Sequence, residues 1–203
     1  LTGSLSLLRQ DGETALTATL ATNALALDPR VLGLPKVFAE GAEATPSGWN
    51  TAALDPHLFS NLNMDLRLSI NELRLGRISM ADVALSTITQ DGRLELSLSS
   101  GKAYGGALKA RLGFAALSRV PGLRASLQLE NVDAATALRD GLGYTRLTGT
   151  MNAEAEFRAS GQNALQMMQS LQGNVLASVM NGSFQGLDLE RALQQAQTHP
   201  LSL

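Results

Sequence analysis

His57 and His199 are the first residues in this chain to test for chemistry. Imidazole serves as a general base or metal ligand near neutral pH. A metal site needs further ligands at helical or hairpin spacing, and neither histidine has one. Both stand in polar, proline-adjacent contexts and read as surface histidines. The chain has no cysteine, which removes thiolate ligands, thiol nucleophiles and disulfides together. A nucleophile elbow needs serine with glycine two positions away on each side, and Gly182-Ser183-Phe184-Gln185-Gly186 puts Ser183 in the wrong register. Glu154 and Glu156 could serve as a carboxylate pair for glycoside hydrolysis. They alternate with Ala153, Ala155 and Phe157, however, and read as the wet face of a strand in a chain with few aromatics to stack a sugar. Gly141-Leu142-Gly143 lacks the third glycine of a dinucleotide fingerprint, and no phosphate-cradling Gly-Lys-Ser or Gly-Lys-Thr is present. Arg67, Arg74 and Arg77 read as wet-face charges. Met167-Met168 reads as helix packing, with Met168 on the stripe from Leu165 to Leu171. The expectation is a protein without enzymatic activity, metal or cofactor.

The elements that hold these residues follow from composition and periodicity. The chain has 203 residues, 44% hydrophobic and 17% charged, which excludes disorder and gives enough length for a real core. Sixteen basic against eighteen acidic residues leave a net charge of -2 without a like-charge run, so nucleic acid is not an expected partner. The apolar runs fall far short of the roughly 20 residues that span a bilayer, and no signal-peptide pattern opens the chain. The first residue is Leu1, already inside an alternating pattern. The chain therefore reads as a piece of a longer protein, with any membrane anchor expected outside it.

Leucine and alanine dominate, with 38 and 28 residues against 7 valines and 3 isoleucines. Propensity alone would favour helix. Periodicity favours strand, because Leu94, Leu96 and Leu98 alternate with Glu95 and Ser97 and would form no single face on a helix. The same alternation recurs at Leu5 and Leu7, Leu16 to Leu20, Met64 to Ile70, Leu108 to Leu112, Leu123 to Leu129, Met151 to Phe157 and Val175 to Val179. One apolar and one wet face mark antiparallel sheet. Asp11-Gly12 and Asp91-Gly92 fall between such runs and read as hairpin turns.

Pro35, Gly41, Pro46 and Gly48 break the pattern between Leu34 and Trp49. Residues 1–45 are expected to be the end of a preceding β-rich region with a linker, and residues 46–203 a compact unit of seven or eight strands. Three short amphipathic helices are expected on one face or end of the sheet. Asp133 caps one that ends near Gly141, Asn163 caps one that stops at Gly173, and Asp188 caps one through Ala196. The fold class is thus mainly β with an α+β character: a curved antiparallel sheet of sequential hairpins.

From about Pro46 to Leu193 the chain resembles the C-terminal region of the AsmA family of Gram-negative bacteria. The resemblance rests on an ordered series. It begins with Gly48-Trp49-Asn50, Leu54-Asp55 and Asn63-Met64-Asp65-Leu66-Arg67-Leu68. It continues through Gly92-Arg93-Leu94, Ala103-Tyr104-Gly105-Gly106-Ala107-Leu108 and Leu147-Thr148-Gly149-Thr150. It ends with Ala159-Ser160-Gly161, Leu171-Gln172-Gly173 and Asn181-Gly182-Ser183-Phe184-Gln185-Gly186-Leu187-Asp188. The resemblance implies a periplasmic, β-rich part of an inner-membrane-anchored protein, similar to TamB-like and bridge-like lipid transfer proteins and associated with outer-membrane assembly. It carries over no catalytic residue. Trp49, Tyr104, Gly105, Gly106, Gly149, Gly161, Gly173, Gly182 and Gly186 are implied to be structural.

A sheet of alternating leucine and polar residues has one apolar face that must be covered. Helices can cover part of it. An uncovered strip of this kind marks a ligand groove or interaction site. Leu66, Leu68, Leu94, Leu96, Leu98, Leu108 and Leu112 are the candidate lipid-facing residues, with phospholipid or another acyl-chain lipid as ligand. The alternative is a closed core in a structural envelope domain that binds assembly proteins through strand edges.

Overall fold

The computed structural model describes residues 1–10, 13–28, 51–52, 62–115 and 120–184. These residues form nine strands: β1 (Thr2–Gln10), β2 (Glu13–Leu27), β3 (Leu62–Leu75), β4 (Ile78–Gln90), β5 (Arg93–Ala103), β6 (Gly106–Ala115), β7 (Gly122–Asp133), β8 (Thr150–Ser160) and β9 (Gln172–Met180). All nine belong to one sheet, and their order in space is their order in sequence. Period-2 patterning thus prevails over leucine and alanine helix propensity, because the strands between the two edges pack their apolar side chains against neighbours on the sheet.

Sequential antiparallel pairing holds for every neighbouring pair but one. β2 and β3 run parallel, with Thr14 beside Leu62 and Leu27 beside Leu75. A parallel neighbour cannot be reached by a tight turn. Leu27 and Leu62 therefore stand at opposite ends of the β2–β3 pair, about 45 Å apart at ~3.3 Å per residue. The expectation of a wholly antiparallel sheet is corrected there: the sheet is mixed. Strands on both sides of residue 45 share it.

Two-residue turns close the tight hairpins. Asp91 and Gly92 have φ of 49° and 69°, the twist-matched geometry that lets β4 and β5 pair without splaying. Tyr104 and Gly105, at 55° and 78°, do the same between β5 and β6. β1 and β2 pair from Gln10 and Glu13 outward.

Two helices are present among the described residues. α1 (Ala134–Leu142) starts at Asp133, whose carboxylate accepts from the Thr136 backbone N–H at 2.8 Å. It ends at Gly143 in the left-handed region, two residues beyond the expected stop at Gly141. α2 (Ala164–Gln169) starts at Asn163, which caps the Gln166 N–H, and ends at Ser170 rather than Gly173, because the chain is already paired in β9 from Gln172. Met167 is its buried residue, so the packing stripe runs through Met167 and not Met168 as expected. α1 packs against β7 and α2 against β8. The helix expected from Asp188, the break at 34–49 and the Asp11-Gly12 turn lie outside the described residues, as do Trp49, Gly186, His57 and His199.

Candidate functional site

The register places all seven candidate leucines on one face. Leu66 pairs with Thr87, Thr87 with Leu96 and Leu96 with Leu112. One step along, Leu68 pairs with Leu85, Leu85 with Leu98 and Leu98 with Ala110. Leu94 faces Phe114, and Leu108 faces Leu129. These rows continue through Ala18 and Leu5 to one edge of the sheet and through Ala125 and Phe157 to the other. Of the seven, Leu98 is buried at 7% exposure, and the other six are half-buried.

Simple alternation does not account for this face along its whole length. On β3 Leu73 has the opposite parity from Leu68 and Ile70, and on β4 Met80 has the opposite parity from Val83 and Leu85, yet all pack in one cluster with Leu25 and Leu27. Leu129 and Val132 share a second cluster in the same way. An Asn or Asp sits at each step: Asn23, Asn71, Asp82 and Asn131. Asp82 and Asn131 have φ of 51° and 54°, a left-handed geometry that rotates the strand and resets which side chains face the core. The ladder is interrupted at Asn23 and Asn71, where Asn71 Nδ2 donates to Asn23 Oδ1 at 3.3 Å. Asp82 meets Lys102 Nζ at 2.8 Å, and this hydrogen bond holds the Lys102 pKa above its ordinary value. Asn131 N–H donates to Asn152 Oδ1 at 2.8 Å. This line of steps carries the apolar face across an irregularity that alternation alone does not reveal. Its signal in the sequence is a pair of apolar residues three apart with Asn or Asp between them, as in Ile70-Asn71-Glu72-Leu73.

Among the described glycines of the family motif, Gly106, Gly149, Gly161, Gly173 and Gly182 are sites of close approach, whereas Gly105 has open space around it. A Cβ on Gly106 would lie 2.2 Å from Glu130 O, and one on Gly173 would lie 2.2 Å from Glu156 O. A Cβ on Gly161 would lie 2.6 Å from Gln166 Cβ. Gly149, at φ 121°, and Gly182 approach each other so tightly that a Cβ on Gly149 would lie 2.6 Å from Gly182 Cα. That contact anchors the chain after β9. Ser183 N–H donates to Thr148 Oγ1 at 3.1 Å, Leu147 bridges to Phe184, and Tyr144 and Phe184 lie 6.3 Å apart between ring centroids. Ser183 is therefore engaged in holding two backbone segments together. Tyr104 lies against Val132, Ala134 and Met151, and burial, aided by Asp140, pushes its phenol pKa up to about 12.

The opposite face is polar. Arg67 makes two 3.2 Å hydrogen bonds to the Asp65 carboxylate. Glu154, Glu156 and Arg74 are exposed. Three adjoining depressions of about 660, 320 and 740 Å³ cross this face over β5 to β9, with Glu95, Arg111, Arg124, Glu156 and Arg158 among the residues that line them. Among the described residues no cluster of three or more His, Asp or Glu side chains is placed to hold a metal. No helix among them is long and apolar enough to cross a membrane.

The described residues define a single sheet with one apolar face, one grooved polar face, and β1 and β9 as its outermost strands. The AsmA family profile matches residues 39–200, and the chain belongs to the AsmA family. It is similar to Protein AsmA of Escherichia coli (strain K12), with 26% identity over 132 residues that make up 65% of this chain and 21% of that protein. The chain thus matches about a fifth of that relative's length. No solved structure matches it.

Proposed function

We propose that this domain is a non-enzymatic module of a periplasmic, inner-membrane-anchored protein of the Gram-negative envelope, and that its apolar face binds or passes acyl-chain lipid in support of outer-membrane assembly. The observation that carries this reading is the apolar face itself. Six of the seven candidate leucines are half-buried on it, and both described helices pack at the β7 and β8 end. An apolar surface of this extent is costly in water, at roughly 25 cal/mol per Å². Lipid chains relieve that cost, at about 0.8 kcal/mol per buried CH₂. Leucine suits such a ligand because its side chain accepts mixed chain shapes.

A second reading is a closed core in a structural domain that engages envelope assembly proteins. It is favoured by Ile70, Val83, Leu98 and Thr89, which are almost wholly buried on the same face. One set of variants separates the two. Leu68→Asp, Leu96→Asp and Leu108→Asp are compared with Leu98→Asp for melting temperature and for phospholipid recovered by native mass spectrometry. Lipid binding predicts that the first three keep their fold and lose lipid, while Leu98→Asp unfolds because it buries an unpaired carboxylate. Collapse of all four, with no lipid in the parent, leaves the structural reading.

A further inference from the structure

Arg124 on β7 and Arg158 on β8 are direct cross-strand partners on the polar face. Like charges placed opposite each other destabilise a sheet. Elsewhere this sheet brings opposite charges together, as in Arg67 with Asp65, Lys102 with Asp82 and Lys109 with Glu130. Neither Arg124 nor Arg158 has a carboxylate within ion-pair distance or a side-chain hydrogen bond among the described residues, and both are exposed. Gly113 stands directly opposite Arg124 on the other side, and the space where its Cβ would be is open. Arg124, Arg158 and Gly113 all line the seam shared by the 660 and 320 Å³ depressions. Two unpaired guanidiniums beside a gap in the side-chain layer, at the floor of a depression, form a cationic recess.

We infer that Arg124 and Arg158 bind a single phosphoryl oxyanion. The non-bridging oxygens of a phosphoryl group can accept from both planar forks at once, and its negative charge removes the repulsion between the two cations. Glu95 lies across Gly113 in the Arg124 row, and Glu156 is two residues from Arg158 on β8. These carboxylates flank the recess, and with Arg93 and Arg111 also lining the two depressions the cations outnumber them there. The absence of an aromatic side chain among the residues lining either depression, apart from Phe114 and Phe157 whose register belongs to the apolar face, argues against a nucleic-acid ligand. The inference stands on the charge arrangement and does not depend on lipid occupying the apolar face.

The test uses the full chain and its Arg124→Gln, Arg158→Gln and Arg124→Lys variants, with Arg74→Gln as an exposed control on β3. Melting is measured with and without millimolar inorganic phosphate at matched ionic strength, and affinity by calorimetry with inorganic phosphate and with a soluble short-chain phosphatidylglycerol. Without anion, each glutamine variant should melt higher than the parent, because the like-charge pair is gone. With phosphate, the parent and Arg74→Gln should gain stability. Both glutamine variants should bind about tenfold more weakly or worse, and Arg124→Lys should keep charge but lose affinity because it lacks the fork. Equal binding of both probes identifies the phosphoryl group itself as the ligand. Binding of the short-chain lipid alone, lost in both glutamine variants, identifies a lipid headgroup as its source. Parent and glutamine variants that bind both probes equally, or a parent that binds neither, overturn the inference.

Discussion

Ile70 and Leu73 lie three residues apart on β3, where alternation would place them on opposite faces, yet both are buried in the same apolar cluster. The step between them, continued by Asp82 on β4, keeps the apolar face continuous where the strands turn. Ile70→Ala and Leu73→Ala should therefore each cost about 2–5 kcal/mol in chemical denaturation. Arg74→Ala, next to Leu73 and exposed, should stay within about 0.5 kcal/mol. A harmless Leu73→Ala would show that the apolar face does not cross the step.

Thr89 lies on the apolar face between Met64 and Leu94, at 1% exposure, and its hydroxyl has no hydrogen-bond partner among the described residues. A buried hydroxyl left unsatisfied costs about 1–3 kcal/mol. Thr89→Val should raise the unfolding free energy by about 1 kcal/mol, measured by urea denaturation. A drop of similar size would mean that the hydroxyl has a partner.

The two glycines after Tyr104 should respond differently. Gly106→Ala should destabilise severely, because its Cβ would meet the Glu130 carbonyl at 2.2 Å. Gly105→Ala has open space and pays only for φ 78°, about 1–2 kcal/mol. Gly105→Asn should recover part of that loss, since Asn tolerates this region. Equal melting temperatures for the two alanine variants would contradict this account of the turn.

Asp133 and Tyr104 set opposite pH limbs. The Asp133 carboxyl is held below its ordinary pKa, first by the Thr136 hydroxyl and then by the Thr136 backbone N–H. Its stabilisation is present above the unfolded value near 3.8 and is lost as pH falls through the lower folded value. Tyr104 is shifted up, from 10.0 to about 12, so its stabilisation is complete below pH 10 and is lost as pH rises toward 12. Asp133→Asn should keep the cap but flatten the acid limb of a stability–pH curve, and Tyr104→Phe should flatten the alkaline limb. Unchanged limbs would assign the pH dependence to other groups.

Much of this architecture is legible in the sequence because side-chain alternation is a direct consequence of strand geometry. Leu94, Leu96 and Leu98 report their face without help from any other element, and Asp133 and Asn163 announce helix starts through the capping chemistry of their own side chains. The parallel β2–β3 pairing is not legible, because nothing in two alternating segments specifies their relative direction once a long connection separates them. The step at Asn71 and Asp82 escapes a search for strict period 2, which stops at Ile70. α2 shows the same difficulty: a six-residue helix is too short for periodicity to choose between Met167 and Met168. The facing Arg124 and Arg158 are visible as residues but not as partners, because their opposition depends on the register between β7 and β8.

The proposed lipid-binding role of the apolar face is tested most directly by photocrosslinking from alternate faces of the full-length protein. A photoreactive phenylalanine analogue replaces Leu66, Leu96 and Leu112 on the apolar face, and in separate variants Thr17, Thr19 and Ser86 on the polar face. Each variant is irradiated with vesicles of radiolabelled phospholipid. The account predicts labelled lipid captured from the three leucine positions and none from the other three. Equal capture from both faces, or no capture from Leu66, Leu96 and Leu112 in folded protein, would contradict it.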